Sequence, residues 1–214
     1  MSAISQHFDH IAHQYDGYKS KQNFYYNTLK VAIKSEIEFP TKKHILDIGC
    51  GTGTILNFIQ PRLGIGIDIS KQMIKIAKIK NIKNKHLRFH THDIEIAPFL
   101  GKFDYILLND VIEHLPDVNA AIKNISYMMD FNAKFVLSMA NPSWEPLLMI
   151  LEKLHLKMPE GQHFRITEDK LFRILSSHNL HVSKKLTYLP RINKSWGDHI
   201  GLLFVYVIKK TRTR

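Results

Sequence analysis

The sequence predicts one α/β domain, a mostly parallel sheet with helices on both faces. Three observations lead there. Short apolar runs that read as strands alternate with segments of helical periodicity from residue 44 to residue 140. The first run ends in Gly49-Cys50-Gly51-Thr52-Gly53, the mark of a buried strand entering a tight turn. The 214 residues are 44% hydrophobic and 23% charged, enough for one packed core with at most a small appendage.

Residues 1–40 read as a helical segment. Phe8, Ile11, Ala12 and Tyr15, then Leu29, Ile33 and Ile37, recur at helical spacing. Gly17 reads as the break between them and Pro40 as the end. The main domain is expected over 41–214. HILDI (44–48) is its first strand, 54–60 a short helix and LGIGIDI (63–69) the second strand. Ser70 caps a helix to about Lys80, with Met73, Ile74 and Ala77 on its apolar face. LRFHTHD (87–93) and FDYILLND (103–110) are the third and fourth strands. Asp117 starts a helix over 117–129, and KFVLSMA (134–140) is the fifth strand. Residues 141–161 carry a helix between two Pro-bearing turns. Thr167 caps a helix to about His178, with Glu168 and Asp169 in the first turn, where the helix dipole favours acid. LHVSKKLTYL and GLLFVYVIKK are two final strands. Strand–helix alternation gives right-handed crossovers, and the ligand then sits beyond the carboxyl ends of the strands at the switch point. Functional residues are therefore expected directly after each strand.

Composition narrows the setting. Cys50 is the single cysteine and cannot form an intrachain disulfide, so a reducing compartment, the cytoplasm, is expected. No apolar run approaches the roughly 18–20 residues of a membrane span. MSAISQHFDH has no basic region followed by an apolar core, so no signal peptide is expected. Thirty Lys and Arg against 19 Asp and Glu give a net charge of +11. That balance favours an anionic partner such as nucleic acid, an acidic membrane surface or a phosphorylated substrate. The lysines are scattered, which equally describes a solvated surface.

The strand ends specify a ligand. Gly49, Gly51 and Gly53 let the backbone turn sharply and approach it closely, with Cys50 at the variable position of the loop. A dinucleotide fingerprint would need Gly where Thr54 stands. Asp47, two residues before the first Gly, repels a pyrophosphate and attracts an ammonium group. Asp68, ending the second strand beside Ile69, can accept hydrogen bonds from both ribose hydroxyls. Its alternative role, a helix cap, is better filled by Ser70. Asp93 can take an adenine amino group with Ile94 against the ring, or serve as a turn residue. Asn109 can bond the amino-acid part. The ligand so described is a nucleoside with a cationic amino-acid tail.

ILDIGCGTG (45–53), GIDIS (66–70), HDI (92–94) and FDYILLNDVIEHL (103–115) resemble the class I S-adenosylmethionine-dependent methyltransferases in order and spacing, over roughly residues 41–140. FDHIAHQYD (8–16) is similar to the N-terminal lid segment of many members. The resemblance implies a Rossmann-like seven-stranded, mostly parallel sheet with one antiparallel strand near the end, flanking helices and an N-terminal helical lid. It also implies S-adenosyl-L-methionine as cofactor, held by the residues above. DVIEHL (110–115) and MPEGQHF (158–164) further resemble segments of ubiquinone-type O-methyltransferases, in which a histidine follows a Pro-x-Gly turn after the fifth strand. That likeness makes His163 or His114 the base that takes a proton from an acceptor hydroxyl. Asp110, Glu113 and His114 are also similar to the metal-binding segment of those enzymes and of small-RNA terminal methyltransferases. The family has Glu where this chain has Asp110, whose reach is shorter, and no metal is expected. Cys50 has no base implied beside it and is given no nucleophilic role.

The expected function is methyl transfer to a small-molecule acceptor, to an oxygen atom on a lipid-linked or aromatic substrate. The apolar stretch Trp144–Met158 reads as a helix packed on the core, with a flap over the acceptor or a peripheral membrane contact as the alternatives. An RNA methyltransferase would share the cofactor site, and the +11 charge favours it. The fourth strand, however, ends in Asn109-Asp110-Val111, without the Pro-aromatic turn that grips a flipped base. A nicotinamide-dependent oxidoreductase is opposed by Thr54 and Asp47. A binding module that keeps the cofactor for structure would differ only in turnover.

Overall fold

Side-chain alternation along the strands divides the core in two. In Tyr105–Asn109, Ile106 and Leu108 enter one buried cluster, and Tyr105 and Leu107 enter the other. The chain is seen in a computed structural model that describes residues 2–21, 23–141, 164, 166–188 and 201–211. Among these, seven strands form one sheet: β1 (His44–Ile48), β2 (Leu63–Asp68), β3 (Leu87–Thr91), β4 (Tyr105–Asn109), β5 (Lys134–Ala140), β6 (Leu180–Tyr188) and β7 (Leu203–Lys210). Their order is β3-β2-β1-β4-β5-β7-β6. β1 to β5 are parallel, while β7 runs antiparallel to both β5 and β6. The sheet is therefore the Rossmann-like one that the resemblance implies.

The α-helices among the described residues are α1 (Ala3–Ile11), α2 (Tyr15–Lys21), α3 (Asn23–Ser35), α4 (Thr54–Ile59), α5 (Lys71–Lys80), α6 (Val118–Met128) and α7 (Glu168–Ser177). Ile33, Leu56, Ile74 and Ala77 from α3, α4 and α5 cover one face of the sheet. Ala121, Ile122, Ile125, Leu171 and Leu175 from α6 and α7 cover the other. The expected caps are in place. Ser70, Asp117 and Thr167 accept from the backbone N–H groups of Met73, Ala120 and Lys170.

One expected boundary moves. Gly17 lies inside α2, and the interruption falls at Ala12–Gln14. The reason is tertiary: Asp9 before the break and Asp16 after it are bonded to different loops of the domain, so the chain turns between its two anchors. The helix expected in 141–161 and the apolar stretch Trp144–Met158 lie outside the described residues.

After β1 the chain moves outward through β2 to β3; β4 returns to the other side of β1 and continues to β5. The switch point thus lies between β1 and β4, where a ligand crevice is expected.

Candidate cofactor-binding cleft

A cleft opens at that switch point. Asp47, Gly49, Cys50, Gly51, Asp68, Ile69, Asp93, Ile94, Asn109 and His114 all line it. Gly53 does not; it packs behind the loop, against Phe89 and Asn81. His163 lies outside the described residues.

The loop after β1 is a chain of left-handed turns, with φ of +70°, +52° and +78° at Gly49, Gly51 and Gly53. Gly49 and Cys50 donate from their N–H groups to the Ile67 carbonyl, at 2.8 and 3.0 Å, which pins the loop to β2. Asp68 completes the brace. Its two oxygens accept from the Gly51 and Ser70 N–H groups, at 2.8 and 2.9 Å. Each oxygen keeps capacity for a further donor. Burial pushes the Asp68 carboxyl up, and the two N–H groups oppose it.

Asp47 is 1% exposed. Its Oδ1 accepts from Asn109 Nδ2 at 3.4 Å, while its Oδ2 and Asn109 Oδ1 have no hydrogen-bond partner among the described residues. Two neighbouring cleft residues thus each carry a buried acceptor without a donor, an arrangement that costs stability unless something cationic or donating arrives. Burial lifts the Asp47 pKa to about 7, against the pull of the Lys19 ammonium. Cys50 is buried, and burial and the two aspartates push its thiol well up, so it remains a thiol. Asp93 Oδ1 accepts from the Glu95 N–H at 2.9 Å, the turn role foreseen for it, while the residue still lines the cleft.

The N-terminal helical segment is held down at several points. Asp9 Oδ1 accepts from Ser70 Oγ at 2.6 Å and from the Gln72 N–H at 2.9 Å. Asp16 accepts from Thr52 Oγ1 at 2.7 Å and pairs with Lys80 at 2.6 Å. Phe8 meets the His114 ring edge-on, with centroids 5.2 Å apart. Lys19 is a residue that sequence reasoning missed. Its Nζ lies 4.3 Å from the Tyr15 ring centre and 4.6 Å from that of Tyr26, above the glycine loop. No local pattern marks it, because lid packing alone brings it there.

Asp110, in the sequence a metal-site candidate alone, has a structural part as well. It has φ +52° and binds Tyr25 Oη and Ser138 Oγ. Among the described residues no three His, Cys, Asp or Glu side chains are grouped to hold a metal.

The orphaned acceptors, the glycine cradle and the acids after β2 and β3 fit a nucleoside with a cationic amino-acid end. Fold and cleft together define a class I S-adenosylmethionine-dependent methyltransferase. A family model described as a methyltransferase domain matches residues 22–185, and the chain belongs to that family. Two curated relatives are named ubiquinone biosynthesis O-methyltransferase. The one from Bradyrhizobium diazoefficiens is 29% identical over 163 residues, 70% of this chain and 64% of its own. The one from Bartonella quintana is 31% identical over 166 residues, 72% of this chain and 66% of its own. The chain thus matches slightly less than two thirds of their length. Among solved structures, a Thermotoga maritima S-adenosylmethionine-dependent methyltransferase, titled a possible histamine N-methyltransferase, superposes with a TM-score of 0.74 at 17% identity. It covers 98% of this chain and 100% of its own, a likeness of fold.

Proposed function

We propose that this chain transfers the methyl group of S-adenosylmethionine to an oxygen atom of a small-molecule acceptor, in the cytoplasm. The observation that carries the cofactor half is the buried Asp47 carboxylate, with its unpartnered Oδ2, beside the glycine loop. The cofactor, when bound, supplies a methyl group already activated on a sulfonium. Asp47 and Asn109 would hold its ammonium group, and Lys19 its carboxylate. Asp68 would take the ribose hydroxyls and Asp93 the adenine amino group, with Ile69 and Ile94 against the ring. Gly49, Cys50 and Gly51 supply the close backbone, and Gly53, packed behind the loop, shapes its turn. Residues 1–40 act as the lid of the 41–214 domain, excluding water and fixing alignment. Alignment of this kind supplies about 7–11 kcal/mol in favourable cases.

On the acceptor side, the relatives' names support oxygen, and the cleft's apolar wall of Ile4, Phe8, Val111 and Leu115 suits an aromatic or lipid-bearing compound. His114 lines that end and would take the hydroxyl proton; His163 is the second candidate. The single buried thiol supports a reducing compartment.

The test is transfer of labelled methyl from S-adenosylmethionine to catechols with and without isoprenoid tails, and to a short RNA. Label on a catechol oxygen is expected, with turnover reduced about 10²–10⁴-fold in His114→Gln or His163→Gln, whichever is the base. Label on RNA, or on nitrogen only, would replace the oxygen assignment.

A further inference from the structure

From Ser70 to Thr91 seven residues are Lys or Arg, and none is Asp or Glu. The distribution in space is sharper than the count. On α5, Lys71, Lys75 and Lys78 stand at spacings of four and three, one exposed stripe opposite the buried Met73, Ile74 and Ala77. The stripe ends in two exposed isoleucines, Ile79 at 63% and Ile82 at 76%. Lys83 and Lys85 continue it through the turn before β3 and are exposed. Lys80 is set apart, reaching to Asp16 on the lid. The Asn84–Asn57 hydrogen bond, at 2.7 Å, carries the patch on to α4. There Lys30 and Lys34 lie 5.5 and 4.8 Å from the centre of the partly exposed Phe58 ring.

We propose that the solvent face of α5, with the turn after it, docks on an anionic lipid bilayer. Ile79 and Ile82 enter the headgroup region and the surrounding lysines meet lipid phosphates. A solvated helix face intersperses both charge signs; this one has one sign and two large aliphatic side chains held in water. That combination matches the interface of an anionic membrane. Single-stranded nucleic acid would call for a row of aromatic side chains on which successive bases stack; the patch carries Phe58 at its far end and none on the α5 stripe, where the exposed side chains are aliphatic. The surface is separate from the cofactor cleft, so its role is independent of the acceptor's identity.

The test is sedimentation of the whole chain with vesicles of phosphatidylcholine alone and of phosphatidylcholine mixed with phosphatidylglycerol. Binding to the mixed vesicles only, weakened by high salt, is expected. Each lysine near such a surface contributes about fivefold in affinity, so K75Q/K78Q/K83Q weakens binding about a hundredfold. I79S/I82S weakens it about tenfold or more at constant charge. Both variants keep cofactor binding, which verifies the fold. No binding of wild type to the mixed vesicles, or binding that neither variant changes, would overturn the proposal. Retention of a single-stranded RNA in preference to the vesicles would overturn it as well.

Discussion

The Tyr25 hydroxyl meets both carboxylate oxygens of Asp110, 3.1 Å from each. Ser138 Oγ adds a third contact, at 3.1 Å. Asp110 follows β4 in a left-handed conformation, so lid helix α3, β4 and β5 meet at one carboxylate. Burial and the Asp110 and Glu113 charges push the Tyr25 phenol well up, so it stays protonated and donates. Tyr25→Phe removes one donor from a partly buried carboxylate, at a cost of about 1–3 kcal/mol. Chemical denaturation should show that loss, while cofactor affinity changes little.

Asp47 makes cofactor binding pH-dependent. Its folded pKa of about 7 stands above the ordinary 3.8. A raised carboxyl costs the free protein stability as pH rises from about 4, with the full cost reached above 7. Ammonium binding needs the ionised form, so affinity should rise with pH up to about 7 and then level off. Asp47→Asn should flatten that profile, lose cofactor affinity, and stabilise the free protein above pH 7 by up to about 4 kcal/mol. Titrations and denaturation between pH 5 and 8 check all three.

The Asp9 and Asp16 contacts test the lid role proposed for residues 1–40. The Asp16–Lys80 pair is about two-fifths exposed and contributes at most about 1 kcal/mol. Asp9 caps α5 from outside, through Ser70 and Gln72. The double variant Asp9→Ala with Asp16→Ala should release bound cofactor about tenfold faster in stopped-flow dissociation. Its denaturation midpoint should move by only about 1–2 kcal/mol in equivalent stability.

Gly53 has no tolerance for a side chain. Its φ is +78°, and a Cβ would stand 2.7 Å from the Phe89 ring and 2.9 Å from Asn81 Nδ2. Gly53→Ala combines backbone strain with a clash and should cost about 1–3 kcal/mol. It should weaken cofactor binding without removing the Asp47 site, a difference that calorimetry with denaturation resolves.

Features set by neighbouring residues were legible in the sequence. Ser70, Asp117 and Thr167 announce helices because a cap is a local bond, and the glycine loop announces itself because its φ values exclude other residues. Asp47, Asp68, Asp93 and Asn109 stood out because a parallel sheet presents residues at its strand ends. The antiparallel β7 came from the resemblance, since pairing across the sheet leaves no local trace. Gly17 misled because anchors at Asp9 and Asp16, far off in the fold, decide where the lid bends. Lys19 and Tyr25 were invisible for the same reason: each acts on a residue brought near only by packing.

Calorimetric titration of wild type and Asp47→Asn with S-adenosylmethionine, its demethylated product and NADH asks directly whether the cleft holds a nucleoside with a cationic amino-acid tail. Binding of the first two, much weakened in Asp47→Asn, with NADH inert, is expected. Binding of NADH alone, or equal binding by wild type and variant, would contradict it.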